Sequence, residues 1–112
     1  MTITNEITLS AGANVKTTNA YCYIDAYVNS IKSTGKVPCD LRVYYSKADC
    51  DAGASPIYPV VDGKHITNLT LEFTPNEVID ADPNCTMEKV FAYFDQKAIA
   101  VMLASYGWVV TE

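Results

Sequence analysis

Residues 18–46 read TNAYCYIDAYVNSIKSTGKVPCDLRVYYS, and their alternation decides the fold. Cys22, Ile24, Ala26 and Val28 share one parity, while Tyr21, Tyr23, Asp25, Tyr27 and Asn29 share the other. A strand points successive side chains to opposite faces, so the pattern predicts a strand over 18–32. Residues 37–46 repeat it, with Val37, Cys39, Leu41, Val43 and Tyr45 on one side and Asp40, Arg42, Tyr44 and Ser46 on the other. Ser33-Thr34-Gly35-Lys36 between them is a turn signal, because glycine adopts positive φ without a Cβ penalty. A two-residue loop at Thr34-Gly35 pairs Val28 with Leu41, Ala26 with Val43 and Ile24 with Tyr45, and gathers the aliphatic side chains on one face. In that register Arg42 lies across from Tyr27, and Tyr44 across from Asp25. Cys39 and Cys22 then stand roughly 27 Å apart, too far for a disulfide. Lys47 falls opposite Cys22, which leaves a Cys22–Cys50 bridge open.

Working outward, residues 2–9 (TITNEITL) alternate in the same way and predict a strand with Ile3, Ile7 and Leu9 inward. Residues 10–14 read as a loop. Residues 47–63 read as a connection punctuated by Gly53, Pro56, Pro59 and Gly63, with one helical turn at 48–52. Residues 57–61 fit a short strand, placed at an edge because Pro59 has no N–H for a ladder. Residues 65–73 predict a further strand with Leu69, Leu71 and Phe73 inward. Thr74-Pro75-Asn76-Glu77 has the form of a capping box. Asp82-Pro83 repeats a start signal, and the spacing of Met87, Val90, Phe91, Phe94, Ala98, Val101 and Met102 predicts a helix over 83–105. Gly107 ends it. Residues 98–104 (AIAVMLA) are apolar all round, which predicts a helix end covered on every side, by the Trp108 tail or by a neighbouring subunit. The fold class is therefore α+β, an antiparallel β-sheet of about four to five strands packed against one C-terminal α-helix. A chain of 112 residues makes it a single domain over 1–112.

Composition excludes several classes of function. The formal charge is −5, with a single arginine and no lysine cluster, so the basic footprint that nucleic acid requires is missing. The longest strongly apolar run, 98–104, is far short of the roughly 20 residues that cross a bilayer. No basic region precedes an apolar stretch at the start, so no signal peptide is expected. Cys22, Cys39, Cys50 and Cys85 form no close pair of the kind that holds zinc, and read as free thiols in a reducing compartment. Charged residues make up 19%, below the usual quarter; a somewhat dry monomer and a domain with apolar surface reserved for a partner both fit that value.

No catalytic residues are expected. His65 is the only histidine, it follows the turn signal Asp62-Gly63-Lys64, and no nucleophile signature accompanies it. Asp80-Ala81-Asp82 with Asn84, and Asp49 with Asp51, lack the closing Glu of a calcium loop, so neither metal nor cofactor is expected. The eight tyrosines are the most informative polar feature. Tyr21, Tyr23, Tyr27 and Tyr44 share a hairpin face with Arg42, and aromatics with arginine are enriched at interface hot spots. Cross-strand tyrosine pairs on a solvated face are the plainer reading. With Leu103 on the apolar helix end and Trp108 in the tail, these residues are the candidate protein interface.

Residues 42–58 (RVYYSKADCDAGASPIY) and 87–98 (MEKVFAYFDQKA) carry a resemblance to small structural proteins of tailed bacteriophages. In that group a β-hairpin domain precedes a helix with an A-Y-containing motif, and Ala92-Tyr93-Phe94-Asp95 stands in that place. The resemblance implies a tail, baseplate, neck or capsid-surface component, made in the host cytoplasm and carried in the virion. It implies contacts with other virion proteins or copies of itself, and brings no catalytic residues. A capsid decoration protein is one alternative. Another is a small acidic inhibitor of a host enzyme, since residues 74–97 carry five acids against two lysines.

Overall fold

The two parities of the central stretch become the two faces of a sheet. The computed structural model describes residues 1–10, 13–26, 35–73, 84 and 86–112. Strands β1 (Thr2–Ile3), β2 (Ile7–Ser10), β3 (Asn14–Thr17), β4 (Ala20–Ala26) and β5 (Gly35–Tyr44) lead to helix α1 (Lys47–Asp51). Strands β6 (Tyr58–Val61), β7 (Lys64–His65) and β8 (Asn68–Phe73), helix α2 (Met87–Tyr106) and strand β9 (Val110–Thr111) follow. The fold is α+β. An antiparallel five-stranded sheet runs β8-β5-β4-β1-β9, a second sheet of four strands runs β3-β2-β6-β7, and α2 packs against β8, β4 and β9 of the first.

The central pairing keeps the expected faces but not the expected register. Ile24 pairs with Leu41, Cys22 with Val43 and Tyr21 with Tyr44. Ile24 was expected opposite Tyr45, so β5 is displaced by four residues. An even slip preserves parity, which is why alternation could not detect it. Gly35, expected in the turn, has φ +92° and instead opens β5, paired with Phe73. Residues 33–34 lie outside the described residues. Tyr45 is not on the aliphatic face: β5 ends at Tyr44, and Tyr45 is exposed.

The N-terminal strand divides. Thr4 donates its N–H and its hydroxyl to the Val109 carbonyl at 2.8 and 3.0 Å, and the Asn5 side-chain oxygen accepts the Val109 N–H at 3.0 Å. These bonds tie the C-terminal tail to the point where β1 leaves the first sheet and β2 enters the second. The parity survives, since Ile3, Ile7 and Leu9 are all buried in one core. The loop expected at 10–14 ends in a strand, because Asn14–Thr17 pairs with β2.

Two further expectations are corrected. Pro59 sits inside the second sheet, with Leu9 of β2 opposite it. Its carbonyl accepts the Ile66 N–H at 2.9 Å. In a strand the N and C=O of one residue point the same way, so the proline nitrogen aims past the end of β7, where no ladder bond is needed. The main helix starts at Met87 rather than 83. Thr86 is its N-cap and accepts the Lys89 N–H at 3.3 Å. Residues 82–83 and the capping box at 74–77 lie outside the described residues.

Gly107 ends α2 as expected, at φ +69°, with its N–H on the Leu103 carbonyl and the Trp108 N–H on the Met102 carbonyl. This left-handed cap turns the chain back, and Val110 pairs with Ile3. The core joins Val90, Phe94, Ala98 and Met102 of α2 to Cys22, Val37, Cys39, Leu41, Val43, Leu69 and Leu71 of the sheet.

Candidate functional site

The tyrosines come from strand parity. Tyr21 and Tyr23 on β4, and Tyr44 and Arg42 on β5, all point away from the core cluster, and register sets Tyr21 across from Tyr44 and Tyr23 across from Arg42. Tyr44 is the centre. Its ring stacks on Tyr23 with centroids 6.0 Å apart and meets Tyr21 at 6.5 Å, and the Tyr23 and Tyr44 hydroxyls lie 3.4 Å apart. Helix α1, capped by Ser46, lies against β4 and β5 at this end. Tyr44 is thereby reduced to 7% exposure. The Tyr23 hydroxyl, then burial and the Cys50 thiol, hold the Tyr44 proton and push its pKa up to about 12. Burial, with Cys50 and Asp51 adding to it, raises Tyr21 as well.

This face therefore has two parts. Around Tyr44 it is packed within the chain. Further along it is open, where the Arg42 guanidinium lies 3.8 Å from both the Asp25 and the Asp40 carboxylates. Asp25 and Asp40 are cross-strand neighbours, and like charges so placed repel unless a cation bridges them. A cleft of about 280 Å³ adjoins this group, lined by Asp40, Leu41, Arg42, Pro56, Tyr58 and Thr67. Tyr58 is exposed and stacks on His65 at 6.4 Å. Tyr27 lies outside the described residues.

Leu103 and Trp108 separate. The Trp108 indole is 4% exposed and packs on Tyr106 at 4.7 Å, so it belongs to the chain's own core instead of a contact surface. Leu103 is 54% exposed. The helix end expected to be covered on all sides is covered on one: Ala98 and Met102 are buried, while Ala100, Leu103 and Ala104 face outward. A single sheet seals only the stripe of a helix that meets it.

Beside Ala100 and Ala104, β8 is the outermost strand of the five-stranded sheet among the described residues. A cleft of about 400 Å³ runs between β8 and α2, lined by Thr70, Glu72, Lys97, Ala100, Val101, Ala104 and Ser105. The outer position of β8 was not foreseen from the sequence. The alternation of Asn68, Thr70 and Glu72 with Leu69 and Leu71 tells which face is solvated and carries no signal of an edge.

The thiols of Cys22, Cys39 and Cys50 are free, so the Cys22–Cys50 bridge does not form. Burial drives both Cys22 and Cys39 up to about 11, which makes them poor nucleophiles. Among the described residues no three His, Cys, Asp or Glu side chains converge as metal ligands, and no helix is long and apolar enough to cross a membrane. No family model, curated protein or solved structure matches this chain.

Proposed function

We propose that this chain is a non-catalytic assembly protein that works through protein–protein contacts as a component of a bacteriophage virion, in the tail, baseplate or neck. The observation that carries the assembly reading is the place of β8, outermost in the five-stranded sheet among the described residues, beside the small apolar residues Ala100 and Ala104 of α2. A sheet edge carries unpaired backbone groups that template another strand. An apolar helix face next to it adds area that a partner would take out of water. The virion setting rests on the resemblance at residues 42–58 and 87–98. Mass spectrometry of purified particles from the source tests it: the chain should be present in many copies per particle, and its absence would remove the virion setting. Leu103→Asp should lower its occupancy without changing the circular dichroism of the isolated protein.

A further inference from the structure

We infer that this chain pairs with a second copy of itself through β8, strand to antiparallel strand about a two-fold axis at Thr70, giving one continuous ten-stranded sheet. The inference rests on the assembly reading above and adds the partner, the surface and the register. The hydrogen-bond phase of β8 comes from one bond: the Leu41 N–H donates to the Thr67 carbonyl at 3.0 Å. Narrow, hydrogen-bonded pairs recur every second residue, so Cys39↔Leu69 and Val37↔Leu71 are narrow too. Leu69 and Leu71 therefore turn their backbone groups toward β5, and Asn68, Thr70 and Glu72 turn theirs outward. Pro38 agrees with this phase, since it stands opposite Thr70 in a wide pair that asks for no N–H.

The strand is complementary to itself about Thr70. In an antiparallel pair centred there, Thr70 meets the second copy's Thr70, and each Asn68 meets the other copy's Glu72. Leu69 meets Leu71. All outward groups of Asn68, Thr70 and Glu72 then fall in narrow pairs, and each carboxylate faces an amide. Sliding the register until Glu72 meets its own copy would set like charges opposite one another, which destabilises a cross-strand pair. The same axis brings the two α2 helices side by side on one face of the joined sheet. Ala100 and Ala104, which line the cleft beside β8, are small enough for close approach. A second copy thus occupies both the edge and the helix stripe, whereas a bare peptide strand would leave the stripe wet. Such an interface is isologous and closes at two.

Sedimentation equilibrium of the full chain tests this. The wild type should be a dimer. Thr70→Pro removes only an outward N–H, so it should give a monomer with an unchanged far-ultraviolet spectrum and a thermal midpoint that no longer rises with protein concentration. Asn68→Glu should weaken the dimer by roughly five- to tenfold at low salt, because the symmetry makes the repulsive pair twice, and salt should restore it. Asn68→Lys should tighten it. A monomeric wild type overturns the pairing, and so does a dimer indifferent to both Thr70→Pro and Asn68→Glu. Either result leaves the particle-composition test of the assembly reading standing on its own.

Discussion

The two faces of the five-stranded sheet are built by the same strands and close in different ways. On one face Cys22, Leu41, Val43, Leu69 and Leu71 meet Phe94, Ala98 and Met102, and the seal is made by apolar volume. On the other, Tyr21, Tyr23 and Tyr44 carry hydroxyls, and the end beside α1 is packed. Arg42 and the two aspartates are left half in water. A face filled with aliphatic groups must be covered completely, because nothing on it can bond to water. A face of tyrosines tolerates partial cover, since each ring is an apolar body with a polar tip. β8, the outermost strand among the described residues, borders both.

Deleting a ring from the sealed face should do the most damage. Phe94 is fully buried, so Phe94→Ala should lower stability by about 3–5 kcal/mol in urea denaturation. A loss below about 1 kcal/mol would mean that α2 does not close the core. The tyrosine face should instead show itself in alkali. The folded-state pKa of Tyr44 is raised above its ordinary 10, so folding favours the protonated phenol. Its contribution is complete below pH 10 and is lost as the pH climbs through about 12. The thermal midpoint of the wild type should fall across that window more steeply than that of Tyr44→Phe, and parallel curves would show that the Tyr23–Tyr44 contact holds no proton. The smallest effect belongs to Arg42, whose ion pairs are long and partly exposed. Arg42→Ala should cost less than about 1 kcal/mol, with the loss growing as salt is removed and Asp25 and Asp40 repel. A salt-independent loss larger than that would make Arg42 part of the packing.

Parity in residues 18–46 was enough to name both faces, because a side-chain period of two survives any even slip of register. The register itself was not legible, since displacing β5 by four residues leaves every side chain on its expected face. The cap at Gly107 was legible because positive φ selects glycine there. The hairpin between β6 and β7 had its signal in Asp62-Gly63, both at positive φ, a pair suited to a two-residue turn between Val61 and Lys64. The sequence marked a turn there, and strand pairing shows which two strands it joins.

Of the candidate contact residues, sequence could place Tyr21, Tyr23, Arg42 and Tyr44 on one face but could not say that α1 would fold over Tyr44. Nor could it separate Trp108 from Leu103. Both are apolar residues near the C-terminus, and only the turn at Gly107 sends the indole inward and leaves Leu103 outside. Local sequence determined which residues alternate, where α2 stops and which charges are present, because those depend on near neighbours. The tertiary structure decided the register, the division into two sheets and the outer position of β8 among the described strands. Those depend on which distant strand supplies the hydrogen bonds, and periodicity carries no record of that choice.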